Sequence, residues 1–179
     1  MLTAYLGPEG SFTHQASLAL APEGSQLDPM PDLNSVLDAL RSGAARFAVA
    51  AIDSAAGPIA ETVAAVEGGW AELLGQHEIA VSFDLYRRQD DDAELVGLVG
   101  HEKALAQLST YVDNKRLLTR VFASNTAGLA GIACESEPGW GAVGPPGLAQ
   151  SYQLRVAERA LEAPSRLVTR FVLLQRKTA

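Results

Sequence analysis

The chain has 179 residues, 47% of them hydrophobic and 20% charged, and carries a formal net charge of −7. That length allows one domain or two small lobes around a real core. The acidic balance shows no basic patch for nucleic acid, and no apolar run reaches the length of a membrane span. The N-terminus opens into a strand rather than a signal peptide. A single cysteine, Cys134, leaves no internal disulfide or cysteine-based zinc site and reads as a small helix-packing residue. These features predict a cytoplasmic protein without nucleic-acid or membrane partners. With no long-range steering for an anionic small molecule, local donors such as Arg170 and helix N-termini would have to hold one.

Leu2, Ala4 and Leu6 mark a buried strand that stops at Gly7-Pro8, turns through Glu9-Gly10 and restarts as an apolar-periodic helix over Phe12–Leu20. Ser11 or Thr13 caps it, Gly10 permits close approach of a ligand, and the helix N-terminus offers a small anion socket. The same geometry also describes an ordinary strand–turn–helix. A Pro-rich loop (Pro22, Pro29, Pro31) leads to a helix over 34–42 capped by Asn34 or Ser35, then to an apolar strand over 47–52. Gly57-Pro58 opens a helix running to about Val66. Residues 78–86 read as one half-exposed strand and 87–94 as a charged loop. A buried strand over 95–99 precedes a helix over 103–112, and a strand over 117–123 precedes a helix capped at Ser124-Asn125-Thr126. The strand 140–144 ends in Pro145-Pro146-Gly147 and a short helix to Tyr152, and 167–174 is a closing strand. The alternation is the α/β pattern. Its strand-end loops predict two α/β lobes with a central cleft, lobe one being 1–77 with 158–179 and lobe two 78–157.

Tyr5-Leu6-Gly7-Pro8-Glu9-Gly10-Ser11-Phe12-Thr13-His14-Gln15-Ala16 and Thr169-Arg170-Phe171 resemble the opening motif and the catalytic signature of the prephenate dehydratase family. Ser124-Asn125-Thr126-Ala127-Gly128, the stretch from Gly141 to Leu154, His101 and Gln107 fall where that family has matching features. The resemblance implies a fold similar to type II periplasmic binding proteins. It also implies conversion of prephenate to phenylpyruvate with loss of water and CO2, and a homodimer; with no ligand cluster or nucleotide loop in the sequence, no metal or organic cofactor is expected. The family usually carries a C-terminal ACT domain that binds phenylalanine. This chain stops at Ala179, so it is expected to lack that domain.

By the same resemblance, Thr169 and Asp53 are the catalytic candidates. Glu9, Gly10, Ser11, Phe12, Ser54, Asn125, Thr126, Ala127, Arg170 and Phe171 are the substrate-binding candidates. Thr169 is expected as a hydrogen-bond donor to the leaving oxygen, although β-branched residues are common in strands. Arg170 suits a bidentate grip on a carboxylate, yet alternation sets it on the sheet face opposite Thr169 and Phe171. Phe171 packs either on the substrate ring or in the core. The N–H groups of 10–12 and 125–127 are expected to take the carboxylates. His14, His77 and His101 stay outside the catalytic set, since lone histidines are more often structural.

Where the family has proline–isoleucine–glutamate–asparagine–serine, this chain reads Ala51-Ile52-Asp53-Ser54-Ala55, and Leu167 replaces a typical asparagine. Asp53 keeps a carboxylate about one methylene further back. Three readings stay open: a dehydratase, a non-aromatising decarboxylase acting on prephenate or an analogue, and a non-catalytic small-anion binding protein. The retained Thr169 favours the first.

Overall fold

Two βα units begin the chain: β1 (Leu2–Leu6) leads to α1 (Phe12–Leu20), and β2 (Gln26–Met30) to α2 (Leu33–Ser42). The computed structural model describes residues 1–54, 57–161 and 167–177. β3 (Phe47–Ser54), the two-residue β4 (Gly57–Pro58), α3 (Ala60–Glu67) and β5 (Ala71–Val81) follow, and β11 (Leu167–Arg176) joins from the far end of the chain. The sheet order is β2-β1-β3-β11-β5, with β4 on β3. β1 is parallel to β2 and β3, whereas β11 runs antiparallel to both β3 and β5. Side-chain alternation gives this sheet two apolar faces. Tyr5, Phe47, Val49 and Phe171 pack with Ala16 of α1 on one. Ala4, Ala48, Val172 and Leu174 pack with Val36 and Leu40 of α2 and Ala65 of α3 on the other.

The second sheet comprises β6 (Phe83–Arg88), β7 (Gly97–His101), β8 (Leu118–Phe122), β9 (Trp140–Gly144) and β10 (Leu154–Leu161), ordered β10-β6-β9-β7-β8. α4 (Glu102–Gln107), α5 (Ser109–Lys115) and α6 (Asn125–Ala133) lie between its strands in the chain. Leu129 and Ile132 of α6 pack on Tyr86, Val99, Trp140 and Ala142. Arg87 and Asp91 form a buried ion pair at 2.9 Å. Burial raises the Asp91 carboxyl, but the Gly139 and Ala93 amides and the Arg87 partner outweigh it and hold the group below the usual carboxylate range.

The chain divides into Met1–Val81 with Leu167–Ala179, and Ser82–Arg166. Residues 78–81 extend β5 and 158–161 extend β10, so both changes of unit come later than the expected 77/78 and 157/158. Several local expectations change for physical reasons. The Pro-rich loop contains β2, an edge strand that tolerates Pro29 because a missing N–H costs nothing there. Asp32, not Asn34 or Ser35, caps α2, accepting from the Ser35 amide at 2.7 Å. Gly57-Pro58 pairs with Ser54 and Asp53, and α3 starts only at Ala60. The strand expected over 78–86 breaks at Ser82 into strands of different sheets, and Arg87 and Arg88 belong to β6 rather than to a loop. The helix over 103–112 divides at Leu108, and 145–153 is turn rather than helix. Cys134 is the exposed C-cap of α6 and not a packing residue. No helix among the described residues is long and apolar enough to cross a membrane.

Candidate active site

In the opening loop, Gly10 adopts a φ of 82°, a left-handed conformation that favours glycine and lets the chain turn into α1. Ser11 then caps the helix, its hydroxyl accepting from the His14 amide at 3.1 Å. The His14 side chain folds back, and the Gly10 amide donates to its Nδ1 at 3.0 Å. A neutral ring held this way carries its proton on Nε2. The ring stacks on Tyr5 with centroids 5.3 Å apart and planes inclined by 24°. Tyr5 is fully buried, and burial, followed by the Glu9 and Asp28 carboxylates, pushes its hydroxyl up to about 12.

The expected anion socket is therefore partly filled by the protein itself. The Gly10 amide serves His14, and the Ser11 amide donates to the Pro8 carbonyl at 3.2 Å. Glu9 is exposed, and Phe12 packs beside the α1-facing core. His14, set aside on sequence grounds, organises this loop. Its place three residues after a capping serine was the available signal.

At the same end of the sheet, beside the end of β3, β11 carries Thr169 opposite Ile79 of β5, half-buried on the α1 side. Arg170 lies opposite Asp53 on β3 and Glu78 on β5. Its Nη2 is 3.4 Å from Asp53 Oδ2, and its Nε is 3.8 Å from Glu78 Oε1. A register shift produces this alignment. Phe171 faces Ala51 while Arg170 faces Asp53, which leaves Ile52 as an extra residue. Without that bulge, alternation would turn Asp53 toward the Thr169 face. Asp53 thus joins Arg170 rather than Thr169. The Ser54 hydroxyl donates to the Gly57 carbonyl at 3.2 Å. Phe171 is 3% exposed among Tyr5, Val49 and Leu173, so it is a core residue rather than a wall for a ligand. Ala55 and Ala56 lie outside the described residues. Glu78 was missed because only the strand register brings it to Arg170.

In the second unit, Ser124 caps α6 and accepts from the Ala127 amide at 3.0 Å. Its hydroxyl also meets that of Thr126 at 2.9 Å. Asn125 Oδ1 accepts from the His101 amide at 2.7 Å, tying the helix to the end of β7. Gly100 is required beside it, because a Cβ there would lie 2.6 Å from Val143 Cγ2 and 3.2 Å from Asn125 Oδ1. His101 caps α4, accepting at Nδ1 from the Lys103 amide at 3.2 Å. His77 is an exposed residue of β5 opposite Phe171. Of the expected donors here, the Ala127 amide already has its partner in Ser124.

The model of the family described as prephenate dehydratase matches residues 3–179. This chain belongs to the prephenate dehydratase family. A prephenate dehydratase of Amycolatopsis methanolica is 30% identical over 176 residues, covering 97% of this chain and 57% of that protein. The chain thus spans little more than half the length of that relative. A solved prephenate dehydratase from Arthrobacter aurescens, in complex with L-Phe, is 25% identical with a TM-score of 0.81, over all of this chain and 61% of the other. The one from Staphylococcus aureus is 22% identical with a TM-score of 0.85, over all of this chain and 67% of that one, and shows the shared fold. An ABC transporter structure from Parabacteroides distasonis has the same two-unit α/β fold at 12% identity and a TM-score of 0.55, over 98% of this chain and 65% of that one.

Proposed function

We propose that this chain converts prephenate to phenylpyruvate, with release of water and CO2. The observation that carries the reading is Thr169-Arg170-Phe171 on a strand held between β3 and β5, with the family match running the length of the chain. Prephenate needs little covalent help. The bond from the ring to its carboxylate breaks, and that electron pair forms the new ring double bond as the C–O bond to the hydroxyl breaks. One proton is taken up as hydroxide leaves as water, and aromatisation drives the sum. The protein's task is to hold the ring and place a donor at the leaving oxygen.

Thr169 is that donor in this reading. A free hydroxyl is a weak acid, so it acts as a positioned hydrogen bond or relay rather than as the proton's source. Asp53 supports it through Arg170, and Arg170 receives a substrate carboxylate. Ser11 and the Asn125–Thr126 turn contribute further hydrogen bonds, with Glu9, Gly10, Phe12, Ser54 and Ala127 shaping the two loops. A homodimer and a cytoplasmic location belong to the same reading.

The test is incubation with prephenate, following the product by absorbance and mass. Aromatic phenylpyruvate is expected. A non-aromatic decarboxylated keto acid would replace this reading with the decarboxylase, and bound but unchanged prephenate with the binding protein.

A further inference from the structure

Arginine binds a carboxylate best with two parallel N–H donors on one edge. In Arg170, the edge formed by Nε and Nη2 is already divided between two strands of the protein. Nη2 meets Asp53 at 3.4 Å and Nε meets Glu78 at 3.8 Å. The two carboxylates are not equivalent. Asp53 is the nearer and the less exposed, at 43%, and sits beside the β4 hairpin, where its Oδ1 also accepts from the Ser54 amide at 3.0 Å. The Glu78 side chain is 63% exposed, its contact is longer, and it lies on an edge strand. A ligand carboxylate approaching that edge of Arg170 can displace Glu78 far more readily than Asp53.

We propose that Glu78 is an internal stand-in for the substrate carboxylate. It occupies Arg170 in the empty protein and yields when an anionic ligand binds, while Asp53 stays and keeps the guanidinium oriented. This rests on the reading of the chain as an enzyme acting on prephenate. Glu78 is then a specificity-determining residue. It sets a threshold that a carboxylate must exceed and a neutral analogue cannot.

An exposed, loosely made pair of this kind corresponds to an effect of about twofold to fivefold in affinity. Glu78→Gln, nearly isosteric and uncharged, is expected to raise kcat/KM for prephenate by that factor through a lower KM. Glu78→Asp, with a shorter reach, should give part of the gain. The gain should vanish when Arg170 is also changed to Gln, which a merely structural role for Glu78 would not produce. Calorimetric affinity for prephenate in a Thr169→Ala background reads the same step without turnover. If prephenate binds there and Glu78→Gln leaves its affinity unchanged or weaker, the stand-in role is wrong while the dehydratase reading survives. If the gain persists without Arg170, the role is equally wrong. A wild-type protein that neither binds nor converts prephenate sinks both.

Discussion

In the first unit Ser11 caps α1, and a histidine less than one turn on reaches back to Gly10. In the second, Ser124 caps α6, and Asn125 reaches across to the end of β7. The cap is the same device and the second tie is not. His14 closes a loop within four residues and rests on the buried Tyr5. Asn125 joins positions 24 residues apart and fixes a helix to its sheet. The first tie is local to its loop, whereas the second anchors a helix whose Leu129 and Ile132 pack in the core. Charge separates the candidate residues too, though not the units as wholes: β11 sets Arg170 beside Asp53 and Glu78, while the Asn125 turn is built from neutral hydrogen bonds. Chemistry is therefore expected to depend on the first unit, and rigid holding on the second.

The largest expected effect falls on turnover. Thr169→Ala should reduce kcat by at least about 100-fold while leaving prephenate affinity within about tenfold. Normal turnover by this variant would overthrow the division at its catalytic end. Gly100→Ala tests the other side. Its methyl group would press on Val143 and Asn125, so thermal unfolding should show a loss of about 2–3 kcal/mol. A Gly100→Ala protein as stable as the wild type would show that the second loop is not rigid.

Removing each cap compares the loops directly. Ser11→Ala and Ser124→Ala should each cost about 1 kcal/mol by denaturant titration. A clearly greater loss at Ser124 would mean that its contact with Thr126 adds to the cap. The last effect shows only at alkaline pH. The Tyr5 hydroxyl is raised in the folded protein to about 12 from an ordinary value of 10.0. Folding therefore favours its protonated form. The contribution is intact below pH 10 and is lost as pH rises through about 12. Tyr5→Phe should flatten that part of the stability curve, and an unchanged curve would show that another group controls it.

The sequence displayed local features well and cross-strand features poorly. The Ser11 and Ser124 caps, α1, and the strands at 47–52 and 140–144 depend on neighbours in the chain, and periodicity revealed them. The break at Ser82 was hidden because Glu78–Tyr86 keeps alternating while the chain passes from one sheet to the other. The resemblance sets Asp53 beside Thr169 in the catalytic set, and periodicity has no means of announcing the bulge that separates them. Only the pairing of β3 with β11 shows Ile52 as the extra residue that turns Asp53 toward Arg170. Glu78 and the Asn125–His101 tie were invisible for the same reason, since both arise from register between distant segments.

The position of β11 has a consequence for the order of assembly. The second unit is one continuous stretch, Ser82–Arg166, and its sheet can close as soon as that stretch has been synthesised. The first unit begins earlier and must wait, because the strand that separates β3 from β5 is made last. Until Leu167–Arg176 emerges, β5 has no neighbour in its sheet and Arg170 has not yet arrived between Asp53 and Glu78. The segment that brings Thr169 is thus also the bolt of the first unit. On the ribosome, the half of the protein that starts first is the half that finishes last.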